Sequence, residues 1–200
     1  EAAAERGCTA IGYRNAGTFE FLLGPDGSFY FIELNARLQV EHPVSELVTG
    51  IDVVHEQLRI AAGEPLELTG RAPRRGHAIE VRVNAEDPSR DFLPMPGTVT
   101  RFRPPLGPGV RVDTYVEDGA TVPPYYDSLL GKVVVWAPDR ERALARCVRA
   151  LNEFEVTGVP TTIAAAAAVI RSEGFARGNY STSYLEDVAE ALPALAEADA

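Results

Sequence analysis

The chain has 200 residues, of which 46% are hydrophobic and 24% are charged, and its formal net charge at pH 7 is −10. This length and composition indicate a globular protein with one large domain or two small ones. The negative charge argues against a nucleic-acid-binding surface, which needs clustered lysine and arginine, and no apolar run reaches the roughly 18 residues of a membrane span.

The amino-terminal part of the chain predicts a helix followed by a β-hairpin. Residues 1–7 have a helical composition, and Gly7 suits the carboxyl-terminal cap of that helix. The strand-like segments 18–23 and 28–34 flank the sequence Gly24-Pro-Asp-Gly27, which is typical of a tight turn.

The register of this hairpin decides which polar side chains meet. Pairing of residue 24 with residue 29 would put Glu20 opposite Glu33, on the face that also carries Asn35. A slip by one residue would send Glu20 to the other face. We expect the first register, because two carboxylates and an amide on one face can share a cation.

Polar residues occupy every second position between residues 33 and 41. They are Glu33, Asn35, Arg37, Gln39 and Glu41. In an extended strand all five side chains would point to one face. Together they offer ligands for a hard cation and groups that hold an anion, so we interpret this run as a functional site.

The polar row divides into two groups with different chemistry. Glu20, Glu33 and Asn35 suit Mg²⁺ or Mn²⁺, which prefer oxygen ligands together with substrate phosphates and water; a solvated strand face is the equal alternative. The fork of Arg37 can hold bicarbonate, a carboxylate or a phosphate, with Glu41 beside it as a general base. A surface salt bridge between Arg37 and Glu41 is the alternative that spacing alone favours.

The remaining elements predict an α+β fold with antiparallel sheet rather than regular βαβ winding. The connection at 64–76, rich in proline and glycine, marks the expected domain boundary. Predicted helices lie at 51–62, 139–155 with Asp139 as N-cap, 161–172 and 184–195, and predicted strands at 77–84, 98–103, 110–116 and 131–136. Arg111, on one of these strands, could pair with an acid such as Asp113. No P-loop occurs in the sequence, so a bound nucleotide would need another kind of site.

Long segments of the chain resemble biotin carboxylase, the ATP-grasp component of acetyl-, propionyl- and pyruvate carboxylases. The resemblance is carried by the segments 17–22, 29–46, 56–63, 76–88, 92–100 and 123–132, and it extends to about Leu185. It implies that residues 1–72 are the carboxyl-terminal part of an ATP-grasp domain, with antiparallel sheet. Residues 76–188 would form the sheet-and-helix domain that ends biotin carboxylases. The acidic, alanine-rich composition of residues 189–200 predicts a disordered tail.

The resemblance implies a two-step reaction. ATP, accompanied by two Mg²⁺ or Mn²⁺ ions, phosphorylates bicarbonate to carboxyphosphate, and the CO₂ released from it is captured by biotin on a carrier domain. The residues that match functional positions of the family are Glu20, Glu33 and Asn35 as metal ligands that bridge the ATP phosphates, Arg37, Gln39 and the Val40 backbone as bicarbonate-binding groups, Glu41 as the base, Arg111 as the arginine that stabilises the biotin enolate, and Leu22 in the adenine pocket. His42 has no chemical role in this mechanism, and we interpret it as structural.

Two positions depart from the usual family motif, and neither touches a ligand atom. Asn35-Ala-Arg37 stands for Asn-Thr-Arg or Asn-Pro-Arg, and Pro43-Val-Ser-Glu46 stands for Pro-Val-Thr-Glu. The family's glycine-rich lid, and the lysines and histidine that clamp the ATP phosphates, precede the matching region, and the only lysine here is Lys132. We therefore expect the 200 residues alone to be inactive.

The resemblance also implies protein partners. They are a biotin carboxyl carrier protein or domain, a carboxyltransferase, and a second copy of the chain that pairs through the carboxyl-terminal domain, with neither nucleic acid nor membrane. Cys8 and Cys147 form no metal-binding pattern, so we expect free thiols in a cytoplasmic protein. Two alternative functions are a non-catalytic dimerisation or assembly module, and another ATP-grasp ligase such as carbamoyl-phosphate synthetase, which lacks the sequence Gln39-Val-Glu-His-Pro43.

Overall fold

The computed structural model describes residues 1–68 and 70–188. The chain divides into two compact units that meet in sequence at Arg74 and Arg75, within the connection rich in proline and glycine. The tail expected at 189–200 lies outside the described residues. No helix in the described part of the chain is long and apolar enough to cross a membrane.

The first unit consists of a hairpin and helices. Its elements are α1 (Ala2–Ile11), β1 (Thr18–Leu23), β2 (Phe29–Asn35), α2 (His42–Thr49) and α3 (Val53–Ala61). Helix α1 continues through Gly7, so the cap predicted there is wrong. That glycine permits close packing instead, since a Cβ on it would lie 2.7 Å from the ring of Phe19. The helix ends at Gly12, whose left-handed φ of 62° suits a C-cap.

Strands β1 and β2 pair as an antiparallel hairpin, with Glu20 opposite Glu33 as predicted. A β-bulge that follows Glu20 shifts the register by one residue toward the turn. The predicted pairing of Gly24 with Phe29 is therefore wrong, and Gly24 donates its N–H to the carbonyl of Ser28 instead. The turn closes one residue earlier than expected, and the bulge absorbs the difference before the two carboxylates.

The extended run that was predicted to continue to Glu41 ends at Asn35. Residues 36–41 form a turn, and Glu41 is the N-cap residue of α2. Pro43 lies in the first turn of α2, a position that proline favours because its missing N–H and fixed φ fit a helix start. The chain has to leave the strand before this helix begins, so the polar row is not one strand face.

The second unit consists of short strands and helices around an apolar core. Its elements are β3 (His77–Asn84), β4 (Glu86–Asp87), a 3₁₀ turn (Pro88–Arg90), β5 (Leu93–Pro94), β6 (Gly97–Thr98), β7 (Arg101–Arg103), β8 (Val110–Thr114), β9 (Thr121–Val122), β10 (Leu129–Ala137), α4 (Arg140–Glu153), β11 (Glu155–Thr157), α5 (Ile163–Arg171), α6 (Glu173–Arg177) and α7 (Tyr184–Val188). The segment predicted as one strand at 98–103 is divided, because Val99 donates its N–H to Ala120 while Thr100 donates to Thr157. Only the beginning of the last predicted helix, α7, lies within the described residues.

The main sheet of the second unit has the antiparallel strand order β3-β10-β8. One face carries buried valines such as Val81 and Val133, which belong to the same core as Cys147 of α4. The opposite face carries polar residues that the strand register brings side by side, namely Glu80, Arg82, Lys132, Arg111 and Asp113. This architecture confirms the predicted α+β class with antiparallel sheet.

Candidate active site

The hairpin brings two carboxylates and an amide together. Glu20 and Glu33 lie opposite each other on neighbouring strands. The side-chain nitrogen of Asn35 donates to Oε1 of Glu20 at 2.7 Å and to Oε1 of Glu33 at 3.0 Å. One NH₂ group therefore bridges both acids and offsets part of their mutual repulsion.

This group fits a hard cation in its donor chemistry. The Asn35 nitrogen lies between the two carboxylates as a hydrogen-bond donor to both. Rotation of the amide by half a turn exchanges Nδ2 for Oδ1 and gives three oxygen donors. Across the described ranges, no group of three or more His, Cys, Asp and Glu residues could hold a metal. Two carboxylates and an amide oxygen are a donor set that Mg²⁺ can share with phosphates and water.

A pocket of about 320 Å³ in the first unit contains the second predicted group. Its lining includes Arg37, Gln39 and Glu41, together with His42 and Ser45 of α2. A cavity of this size suits a small molecule. The three residues that were predicted to share a strand face share this pocket instead, and a turn followed by a helix start brings them there.

Gln39 connects the pocket to the carboxylate pair. Its side-chain nitrogen donates to Oε1 of Glu20 at 3.0 Å, and its backbone carbonyl lies 2.8 Å from Nδ1 of His42. The oxygen of Glu20 that accepts from Gln39 is the one that also accepts from Asn35. Gln39 of the second predicted group is therefore hydrogen-bonded to the first group.

Arg37 is exposed, and its guanidinium makes weak local contacts. Nη1 donates to the carbonyl of Leu38 at 3.2 Å, and Nη2 lies 3.5 Å from Oδ1 of Asn35, which is long for a hydrogen bond. Its fork is oriented by a backbone oxygen and an amide oxygen.

Leu22 and Val40 flank these groups along the chain. Leu22 lies on β1 two residues after Glu20, and 60% of its surface is exposed. Val40 is half-buried in the turn between Gln39 and Glu41. The carboxylate pair, the pocket and these two residues all belong to the first unit.

Arg111 lies on β8 in the second unit. Its Nε and Nη2 donate to the two carboxylate oxygens of Asp113, at 2.7 Å and 2.9 Å. Nζ of Lys132, on the neighbouring strand β10, lies 3.7 Å from Oδ2 of the same carboxylate. Asp113 therefore holds the arginine by one edge of its guanidinium, which is the pairing considered from the sequence.

Two contacts of the site were not foreseen. The hydrogen bond between Gln39 and Glu20 joins residues 19 positions apart, and no local pattern indicates such a contact. The contact between His42 and the carbonyl of Gln39 spans three positions at a helix start.

Each unit matches a known protein family. Residues 80–187 match the family described as Biotin carboxylase C-terminal domain, and residues 1–69 match Carbamoyl-phosphate synthase L chain, ATP binding domain. The biotin carboxylase of Nostoc sp. is 52% identical over 187 residues, which cover 93% of this chain and 42% of that protein. The biotin carboxylase of Pseudomonas aeruginosa is 52% identical over 180 residues, which cover 90% of this chain and 40% of that protein.

Solved structures show the same likeness. The biotin carboxylase domain dimer of the Hydrogenobacter thermophilus 2-oxoglutarate carboxylase, in complex with MgADP, ADP and bicarbonate, matches with a TM-score of 0.93 and 42% identity over 100% of this chain and 43% of that chain. Biotin carboxylase from Campylobacter jejuni matches with a TM-score of 0.89 and 44% identity over 93% of this chain and 42% of that chain. The chain thus spans about two fifths of the length of the proteins it matches. The chain belongs to the biotin carboxylase family and corresponds to a carboxyl-terminal part of a biotin carboxylase.

Proposed function

We propose that this chain contributes the metal, bicarbonate and biotin-enolate residues of an enzyme that carboxylates biotin on a carrier protein, using ATP and bicarbonate. The observation that carries the proposal is the bond between Gln39 and Glu20. It connects a pocket suited to a small anion with a carboxylate pair suited to a phosphate-bound cation. Phosphoryl transfer from ATP to an anion needs these two groups next to each other.

Glu20, Glu33 and Asn35 would hold the metal that binds the ATP phosphates. A bound Mg²⁺ or Mn²⁺ would neutralise charge on the transferred phosphoryl group. Turning the Asn35 amide gives up its hydrogen bonds to Glu20 and Glu33, at 2.7 Å and 3.0 Å, and its 3.5 Å contact with Arg37; a bound cation would take over the role of the N–H donors between the carboxylates. The same rotation releases Nη2 of Arg37 for an anion. Leu22, exposed on the same strand as Glu20, would contact the adenine.

Arg37 and Glu41 would bind and activate bicarbonate. The planar guanidinium matches a planar oxyanion through two parallel N–H donors. Glu41 lines the same pocket and would accept the bicarbonate proton, so that the freed oxygen attacks the γ-phosphorus as the bond to ADP breaks. The Gln39 side chain and the Val40 backbone would complete the anion site.

Arg111 would stabilise the enolate of biotin after CO₂ is released. Asp113 accepts from Nε and Nη2, so the guanidinium is fixed in orientation and keeps its full positive charge. Because the guanidinium is already in place, it can stabilise negative charge that develops during a reaction without first changing its own position.

The partners of such an enzyme are a biotinylated carrier, a carboxyltransferase and a second copy of the chain. The description of the Hydrogenobacter domain as a dimer supports the last of these. We also propose that the 200 residues alone do not cleave ATP. Lys132, the only lysine, has its side chain 11% exposed and pairs with Asp113 on the sheet, so this chain offers no lysine for the ATP phosphates.

The test uses a chimera in which this chain replaces the matching part of the Nostoc sp. biotin carboxylase. We expect bicarbonate-dependent ATP cleavage and carboxylation of free biotin by the chimera, and neither by the 200 residues alone. Glu33→Gln in the chimera should abolish ATP cleavage, because it removes one of two carboxylate ligands. Glu5→Gln, an exposed change on α1, is the matched control. Near-normal turnover of Glu33→Gln would remove Glu33 from the ligands, and ATP cleavage by the isolated chain would contradict its proposed inactivity.

A further inference from the structure

Gln39 is held from two directions. Its side chain donates to Glu20 at 3.0 Å. Its carbonyl accepts from the backbone N–H of His42 at 3.3 Å and lies 2.8 Å from Nδ1 of the same residue. The ring contact is the shorter of the two, so the imidazole contributes most of the restraint on this carbonyl.

The contact defines which ring nitrogen of His42 donates to the carbonyl. A carbonyl oxygen only accepts hydrogen bonds, so Nδ1 must carry the hydrogen, and in the neutral ring Nε2 is then the unprotonated nitrogen. His42 is half-buried and lines the same pocket as Arg37 and Glu41. It lies directly between the N-cap residue Glu41 and Pro43 of α2, so its backbone position is fixed by the start of the helix.

Fixing one side of a peptide group fixes the other. The carbonyl of Gln39 and the N–H of Val40 belong to one planar unit that cannot rotate internally. A ring that holds the carbonyl therefore orients the whole 39–40 peptide, and with it the turn that carries Arg37 at one end and Glu41 at the other. Without the ring donor, the Gln39 carbonyl would keep the longer contact with the backbone N–H of His42.

We propose that His42 is a positioning residue of the bicarbonate pocket. Its Nδ1–H holds the 39–40 peptide so that Arg37, Gln39 and Glu41 present their polar groups to one anion. This inference rests on the proposed function, which assigns bicarbonate to the pocket. His42 acts through Gln39 and does not touch the reacting atoms.

The kinetic test compares two replacements of His42 in the chimera. Asparagine carries an NH₂ group close to the position of Nδ1 and can still donate to the carbonyl three residues before it, whereas leucine fills similar space without a donor. We expect His42→Leu to raise the KM for bicarbonate roughly five- to tenfold, the range expected for one lost hydrogen bond. The KM for ATP should change less than about twofold, and His42→Asn should recover most of the bicarbonate affinity. His55→Leu, on the exposed side of α3, is the matched control.

A merely structural role gives a different pattern. If His42 only started the helix, both variants would lower thermal stability and turnover together, and the two KM values would move in parallel. Equal losses in His42→Asn and His42→Leu, or an unchanged KM for bicarbonate in a folded His42→Leu protein, would overturn the proposal. Circular dichroism of each variant establishes that it is folded.

A second measurement separates this inference from the proposed function. Long-range ¹H–¹⁵N NMR spectra of the 200-residue chain report which ring nitrogen of His42 carries the hydrogen, without any turnover. The Nδ1–H tautomer is expected, and the Nε2–H tautomer would overturn the positioning role. A chimera that cleaves no ATP in the presence of bicarbonate would instead refute the proposed function, while the NMR result still decides the contact.

Discussion

Replacement of Gln39 by leucine tests whether the metal ligands and the anion pocket act as one site. Leucine is similar in size and removes the amide that donates to Glu20 at 3.0 Å. A hydrogen bond to a charged group contributes about 1.5–3 kcal/mol. We expect the lower end of that range, because Glu20 is only half-buried and keeps its second donor, Asn35, at 2.7 Å. A loss of about 1.4 kcal/mol corresponds to a tenfold change in an equilibrium constant.

The assay is bicarbonate-dependent ATP cleavage by the chimera, measured against Mg²⁺ and against bicarbonate. In Gln39→Leu both the Mg²⁺ half-saturation and the KM for bicarbonate should rise, with a combined loss of roughly tenfold. Arg37→Ala should raise the KM for bicarbonate alone, since its guanidinium reaches the metal ligands through the long 3.5 Å contact to Asn35. Gln57→Leu on α3 serves as the control for an amide outside the site.

One pattern of results would refute this reasoning. If Gln39→Leu raised the KM for bicarbonate but left the Mg²⁺ dependence at its original value, the contact with Glu20 would not couple the two groups. The proposal that a shared network brings cation and anion together would then fail, even if the enzyme were active.

Three further predictions concern single groups. Glu41→Gln should leave metal binding, measured by Mn²⁺ relaxation, unchanged and should abolish bicarbonate-dependent ATP cleavage. A loss of both would indicate a structural role for Glu41. Asp113→Asn keeps one acceptor for Arg111 but loses the negative charge. The KM for free biotin should therefore rise roughly five- to tenfold, while ATP cleavage without biotin is retained. An unchanged KM for biotin would contradict the proposed role of Arg111. Burial raises the pKa of the Cys147 thiol to about 12, so in thiol titration Cys147 should react only after unfolding. Because the folded state keeps this proton and the unfolded state releases it near 9, the stability that it contributes is complete below pH 9 and is lost as pH rises toward 12; fast reaction of both thiols in the native protein would contradict this burial.

The sequence predicts the meeting of Glu20 and Glu33 because turn chemistry and ligand chemistry agree there. The Gly-Pro-Asp-Gly turn indicates a hairpin, and only one register puts the two acids on one face. The bulge after Glu20 has no sequence signal of its own, since one extra residue in a strand leaves composition and periodicity almost unchanged. For this reason the predicted register was correct for Glu20 and Glu33 and wrong at the turn.

The division of the segment at 98–103 shows a second limit. Its residues alternate like one strand, yet Val99 and Thr100 donate their N–H groups to Ala120 and Thr157 respectively. Those partners lie 21 and 57 positions further along the chain. A local pattern predicts that a segment is extended, but hydrogen-bond partners so distant decide where one strand ends and the next begins.

The polar row shows how residues predicted on a wrong local structure still come together in the fold. Nine residues of extended strand, from Glu33 to Glu41, would span about 26 Å, too far for one anion pocket and one carboxylate pair to share a reaction. The chain instead turns after Asn35 and enters a helix that Pro43 helps to start, which returns Gln39 to within 3.0 Å of Glu20. The residue types predict the chemistry of the proposed site, but the short distance between its cation and anion groups requires the strand to end before Arg37. The alternating pattern of polar residues gives no sign of this strand end.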